Sequence, residues 1–183
     1  MSKPNILVIQ ADQLTALCLQ AYGTPYALTP HIDRIAARGT TYLNSYCNSP
    51  VCGPSRASMM TGRLPSNVGV YDNAGEFLSS EPTYAHYLRT LGYQTSLVGK
   101  MHFVGPDQLH GFERRLTTDI YPSDFSWTAD WSQYEEEYAP SRMSLLSVVE
   151  AGTCERSLQV DYDDHVFNMA KQELFDIARS DDE

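Results

Sequence analysis

Asn5-Ile6-Leu7-Val8-Ile9-Gln10-Ala11-Asp12-Gln13 opens the chain with a continuous apolar run that ends on a carboxylate. A short apolar run closed by a polar turn reads as a buried strand over 5–10, with Asp12 at its carboxyl edge, where open α/β sheets bind ligands. Next, Thr29-Pro30-His31-Ile32-Asp33-Arg34-Ile35-Ala36-Ala37-Arg38-Gly39 carries a Thr cap, Pro in the first turn, an Ile32/Ile35/Ala36 face and Gly as a stop. These signals predict a helix over 29–39. Residues 40–46 alternate with β-branched and aromatic side chains and predict a second strand. A further amphipathic helix is expected over 83–91, closed by Gly92, followed by a strand over 94–98 with Gly99-Lys100 at its carboxyl end. The order βαβ…αβ predicts an α/β fold whose largely parallel central sheet is flanked by helices.

The chain has 183 residues, the size of one domain or a piece of one. Apolar residues at 42% and charged residues at 20% predict a packed core rather than a disordered segment. Lys and Arg total 13 against 23 Asp and Glu, a net charge of -10, so the field repels polyanions and argues against a nucleic-acid partner. The amino-terminal apolar run is too short for an export signal or a membrane span. Cys18, Cys47, Cys52 and Cys154 form no CxxC pair, so a cytoplasmic protein is expected. From Gly105 to about residue 160 the periodicity fades while Pro, Asp, Ser and Tyr accumulate, as in an irregular wall over the edge of a sheet. Glu135-Glu136-Glu137 within it reads as a solvated turn. Residues 170–183 read as an amphipathic helix ending in an acidic stub with no returning strand, so 1–183 is expected to be the amino-terminal portion of a longer catalytic domain.

The densest chemical signal is Cys52-Gly53-Pro54-Ser55-Arg56, continued by Thr61-Gly62-Arg63. Pro54 in a first turn and Gly62 at a stop predict a short helix that begins at Cys52. Such an amino terminus presents unpaired amide donors and partial positive charge, which hold an anion and favour an ionised nucleophile. Arg56, one turn on, adds a fixed cation. Taken alone, Cys52 reads first as a buried cysteine capping a helix.

The whole string resembles the signature of the formylglycine sulfatases of the alkaline-phosphatase superfamily. The resemblance implies that Cys52 is oxidised by a maturation enzyme to an aldehyde whose hydrate attacks the sulfur of a sulfate ester, and that Arg56 stabilises that hydrate. It implies a divalent metal, Ca²⁺ or else Mn²⁺ or Mg²⁺, with Asp12 and Cys52, as formylglycine, among its ligands, and Gln13 where most sulfatases have a second aspartate. Lys100 and His102 match the family's Lys-x-His: Lys100 would neutralise sulfate oxygens, and His102 would hydrogen-bond the formylglycine or act as a base.

Val70-Tyr71-Asp72-Asn73-Ala74-Gly75-Glu76-Phe77, Pro82 through Arg89 and Gly99 through Trp127 resemble the choline sulfatases more closely. That resemblance implies choline-O-sulfate as substrate, Asn73 as a polar contact to the sulfate and Trp127 as an aromatic face for the quaternary ammonium. It also implies a homo-oligomer for the full-length enzyme. The family's second pair of metal ligands has no match after Trp131; the acids of Asp161-Tyr162-Asp163-Asp164-His165 read instead as a helix amino-terminal cluster. The 183-residue chain alone is therefore expected to be a poor catalyst. A phosphonate or phosphate monoester hydrolase on the same fold, and a catalytically dead anion-binding fragment, are the competing readings.

Overall fold

A computed structural model describes residues 3–121, 123–125, 146–149 and 151–180. They fall into two compact units, Met1–Tyr46 and Cys47–Glu183.

The first unit holds two 3₁₀ turns, Ala16–Cys18 and Gln20–Tyr22, and one helix, α1 (Pro30–Ala36). Pro30 opens α1 as expected, but the helix ends at Ala36, and the turns to Arg38 and Gly39 are closed by bonds to Ile35 and Ala36. Thr29 makes no side-chain bond to the helix backbone. Its hydroxyl instead donates to Asp33 Oδ1 at 3.1 Å and accepts from Gln20 N at 3.1 Å, tying α1 to the preceding turn. The strands expected over 5–10 and 40–46 do not form. Both segments stay outside any ladder, with Ile9 78% and Leu43 75% exposed. An apolar run becomes a strand only when a neighbour completes its hydrogen bonds, and the described residues of this unit contain no strand to pair with either.

The second unit carries the core. Helix α2 (Cys52–Thr61) follows an extended Val51, buries Pro54, Ala57, Ser58 and Met60, and closes on Gly62, whose φ of 68° lets its N–H reach Ser58 O at 2.8 Å. After the single turn α3 (Pro65–Val68), helix α4 (Tyr84–Thr90) is capped by the fully buried Thr83. Thr83 N donates to His86 Nδ1 at 3.1 Å, and its hydroxyl donates to His110 O at 2.6 Å. Strand β1 (Ser96–Leu97) pairs in parallel with β2 (Arg114–Arg115), Ser96 opposite Arg114 and Leu97 opposite Arg115. Parallel pairing requires a long crossover. Here residues 98–113 make it, contributing Met101, Phe103 and Phe112 to a core shared with Ala57, Met60 and Phe77. Strand β2 was not expected, because its two arginines lack any strand-like pattern.

Beyond the single turn α5 (Leu146–Val149), α6 (Leu158–Arg179) fastens to the strand pair. The buried Glu173 accepts from Ser96 Oγ and pairs with Arg114 Nη2 at 2.9 Å, and Tyr162 donates to Thr118 O at 2.7 Å. Of its amino-terminal acids Asp161 lies in the first turn, as expected, and Arg156 pairs with Asp161 and with Asp164. No helix of the described residues is long and apolar enough to cross a membrane. Glu135-Glu136-Glu137 and the acidic stub at 181–183 lie outside the described residues.

Candidate active site

Cys52, half-buried, is the first residue of α2. Gly53, the next residue, leaves its N–H to donate to Asn73 Oδ1 at 2.8 Å. A Cβ at position 53 would stand 3.1 Å from Asp72 O, a tight contact, so glycine eases the close approach of the 72–73 backbone. This bond orients the Asn73 amide with its oxygen toward Gly53, which leaves Nδ2 as the donor end.

The crossover after β1 supplies the opposite side. Since the strand ends at Leu97, Lys100 and His102 are not bound by strand alternation. Lys100 Nζ donates to Cys52 Sγ at 3.4 Å and lies 5.0 Å from the centroid of the Tyr121 ring. His102 adopts a positive φ of 54° and places Nε2 3.2 Å from Asn73 O. Arg56, only 4% exposed, reaches from the second turn of α2 to donate Nη1 to Lys100 O at 2.7 Å, with Met101 Sδ at 3.5 Å. Cys52, Arg56, Asn73, Lys100 and His102, separated by up to 50 positions in sequence, thus form one connected network. Burial is the main cause that holds the His102 imidazolium below its ordinary pKa; the cations Lys100 and Arg56 add to it, while Asn73 O and the Asp119 carboxylate oppose. These causes together favour the neutral imidazole, whose Nε2–H donates to Asn73 O.

Asp12 and Gln13 belong to the first unit, in the turn after 5–10, with Gln13 at a φ of 56°. Among the described residues no three His, Cys, Asp or Glu side chains are grouped to hold a metal ion, so this donor set does not fit a complete cation site. Trp127, the expected aromatic contact, lies outside the described residues.

Three residues of the network carry no motif of their own. Asp119 Oδ2 accepts from Met101 N at 3.2 Å, His102 N at 2.9 Å and Arg115 Nη2 at 2.6 Å, while Thr117 Oγ1 accepts from Gly99 N at 2.7 Å. The one signal in the sequence that bears on them is their spacing: Arg115, Thr117 and Asp119 alternate, so an extended chain turns all three to one side.

The sulfatase family model matches residues 4–183. The chain belongs to the sulfatase family. Over 181 residues it is 50% identical to a choline-sulfatase of Rhizobium meliloti (strain 1021), which covers 99% of this chain and 35% of that protein. The chain thus spans about a third of that relative's length. Among solved structures, a 2-O GAG sulfatase aligns over 63% of this chain and 26% of its own, with a TM-score of 0.57 and 33% identity. A phosphonate monoester hydrolase of Agrobacterium radiobacter aligns over 63% and 26%, with a TM-score of 0.56 and 26% identity. The α/β fold expected from the sequence is accordingly that of the sulfatases, present here as a partial domain of helices and a small parallel sheet.

Proposed function

We propose that this chain is the amino-terminal portion of a sulfuric-ester hydrolase that acts on choline-O-sulfate through a formylglycine made from Cys52. The observation that carries this reading is the cationic contact at the helix start: Lys100 Nζ 3.4 Å from Cys52 Sγ, on a loop that Arg56 holds from beneath. The formylglycine supplies an oxygen nucleophile at position 52 and a route for releasing sulfate. Lys100 offers positive charge to sulfate oxygens at that position. Asn73 Nδ2 is the donor for the sulfate or its ester oxygen. His102, buried, donates Nε2–H to Asn73 O, which leaves Nδ1 as the atom that takes a proton. A maturation enzyme is the implied partner, and the full-length enzyme is a proposed homo-oligomer. A reducing cytoplasm is the proposed location, supported by the free thiols of Cys18, Cys47, Cys52 and Cys154.

Asp12, with Gln13 beside it, is the proposed first ligand of a divalent cation, Ca²⁺ or else Mn²⁺ or Mg²⁺. One carboxylate and one amide fall well short of the roughly six to eight oxygens that Ca²⁺ takes, so weak metal affinity and poor catalysis are expected of the 183-residue chain by itself.

The choline assignment is supported by the 50% identity to a choline-sulfatase. The similarity to a phosphonate monoester hydrolase favours the second reading. Comparison of kcat/KM for choline-O-sulfate, an aryl sulfate and the matched phosphonate ester, using full-length enzyme matured in the cell, separates them. Preference for the sulfates by the enzyme supports the proposal, and preference for the phosphonate replaces it. Within the sulfates, Trp127→Ala is expected to raise KM for choline-O-sulfate about tenfold while leaving a neutral aryl sulfate nearly unchanged. Equal losses on both would assign Trp127 to the fold.

A further inference from the structure

We propose that Asp119 is the positioning residue of the Lys100–His102 loop, with Arg115 as its counter-ion, and that it holds the backbone from which Lys100 reaches position 52 and His102 reaches Asn73. The proposal rests on the reading of these side chains as the sulfatase machinery, although its geometric part is tested separately.

The Asp119 side chain is 2% exposed, and its Oδ2 receives two consecutive backbone amides, those of Met101 and His102. Two successive N–H groups converging on one oxygen form an anion cradle in the backbone, and here the anion is a side chain of the same protein. The conformation that this cradle demands is unusual. His102 sits at a φ of 54°, a left-handed region that residues with a side chain rarely adopt. Such strain persists where the surroundings over-determine it. They do so here from both sides. Gly99 N is held by Thr117 Oγ1 before the motif, the two amides within it are held by Asp119, and Arg56 holds the Lys100 carbonyl from α2.

The arrangement follows from the strand register. β2 runs parallel to β1, so the residues that continue β2 run alongside the residues that continue β1. Arg115, Thr117 and Asp119 share one side of that extension: Thr117 and Asp119 accept from the loop amides, and Arg115 pairs with Asp119. Asp119 Oδ1, also buried, has no hydrogen-bond partner among the described residues. The carboxylate thus directs all three of its bonds through Oδ2, toward the loop and Arg115.

The charge has a second consequence. The ionic groups that face His102 are Asp119, which favours the imidazolium, and Lys100 and Arg56, which oppose it. Replacing the carboxylate by an amide keeps an oxygen for the two N–H groups but leaves the two cations unopposed.

The experiment compares Asp119→Asn and Asp119→Ala with the wild type in full-length matured enzyme. It reads kcat and KM on an aryl sulfate across pH, the titration of the His102 ring by NMR, and the Met101 and His102 amide signals. Asp119→Ala is expected to lower kcat about 100-fold, as misplacement of a reacting group does, and to shift both amide signals. Asp119→Asn is expected to restore most of that loss while moving the His102 titration and the acid limb of the kcat profile to lower pH. If Asp119→Ala does not fold, Asp119→Asn carries the test alone. The proposal is overturned if Asp119→Asn leaves the His102 titration and the acid limb where they were, or if the activity lost in Asp119→Ala equals its loss of folded protein. Should the wild type turn over neither sulfate nor phosphonate esters, the functional reading fails, and the His102 titration still decides the role of Asp119.

Discussion

Residues 5–10 and 94–98 are both strand-like segments followed by a polar pair, Asp12-Gln13 in one case and Lys100-x-His102 in the other. The first is much the more apolar, yet only the second enters a sheet. Ile6, Leu7, Val8 and Ile9 remain exposed, while Ser96 and Leu97, in a segment that also holds Gln94 and Thr95, pair with β2 and are backed by Glu173 of α6. Apolarity supplies the reason to be buried, and a partner supplies the strand. The polar pair inherits the difference: Lys100 and His102 are pinned by Arg56, Thr117 and Asp119, whereas Gln13 follows a segment with no ladder.

The largest expected effect tests that contrast directly. Phe103→Ala, at a residue 1% exposed in the core beside Phe77, is expected to cost about 3–5 kcal/mol in urea denaturation, whereas Ile9→Ala is expected to stay within about 0.5 kcal/mol. A cost above about 1 kcal/mol for Ile9→Ala would mean that 5–10 is buried in solution and that the contrast is wrong.

Two glycines sharpen it at intermediate size. Gly23 and Gly111 share a positive φ, 91° and 96°. A Cβ at Gly23 meets nothing within 4 Å, but at Gly111 it would stand 2.5 Å from His86 Nδ1, the acceptor for Thr83 N at the start of α4. Gly23→Ala is therefore expected to cost only the left-handed backbone, about 1–2 kcal/mol, and Gly111→Ala to add the loss of a helix cap, about 1 kcal/mol more. Equal melting shifts would show that the Gly111 contact does not constrain α4.

How much could be read in advance follows the same division. Helix α2, its start at Cys52 and its stop at Gly62, and helix α4 with Thr83 at its head were legible because caps and stops are local. So was the place of Asp161 in the first turn of α6, although its pairing with Arg156 was not read from the sequence. The strands at 5–10 and 40–46 were misread because pattern reports a wish for burial and says nothing of a partner. β2 was missed for the converse reason: Arg114 and Arg115 carry no apolar signal, and their place is set by register with Ser96 and Leu97. The site divided likewise. Cys52, Arg56, Lys100 and His102 stand in short motifs, but Asp119 acts through backbone bonds to residues 17 and 18 positions away, for which no local pattern exists.

The smallest effect concerns pH. His110 is fully buried, stacked on Phe77 at 4.1 Å and edge-on to Phe103 at 4.4 Å, and burial is the main cause that lowers its pKa. His86 and Arg115 act in the same direction, and Asp107 acts against them. His102 is lowered as well. A histidine whose folded pKa lies below its unfolded value of 6.5 leaves stability unchanged above that pH. Below it the unfolded chain takes up protons first, and stability is lost as pH falls through the folded pKa. The second unit is thus expected to weaken as pH falls below 6.5. His110→Asn, compatible with the positive φ of 40°, is expected to lower stability at neutral pH and to flatten that slope. Parallel slopes for the two proteins would remove His110 from the account.

The central claim is that Cys52 is the precursor of the nucleophile, held at the start of α2 within reach of Lys100. Peptide mass spectrometry across Cys52, after co-expression with a formylglycine-generating enzyme, tests it most directly. The account predicts an aldehyde at position 52, with Cys18, Cys47 and Cys154 left as thiols; an unmodified thiol at Cys52 throughout would contradict it.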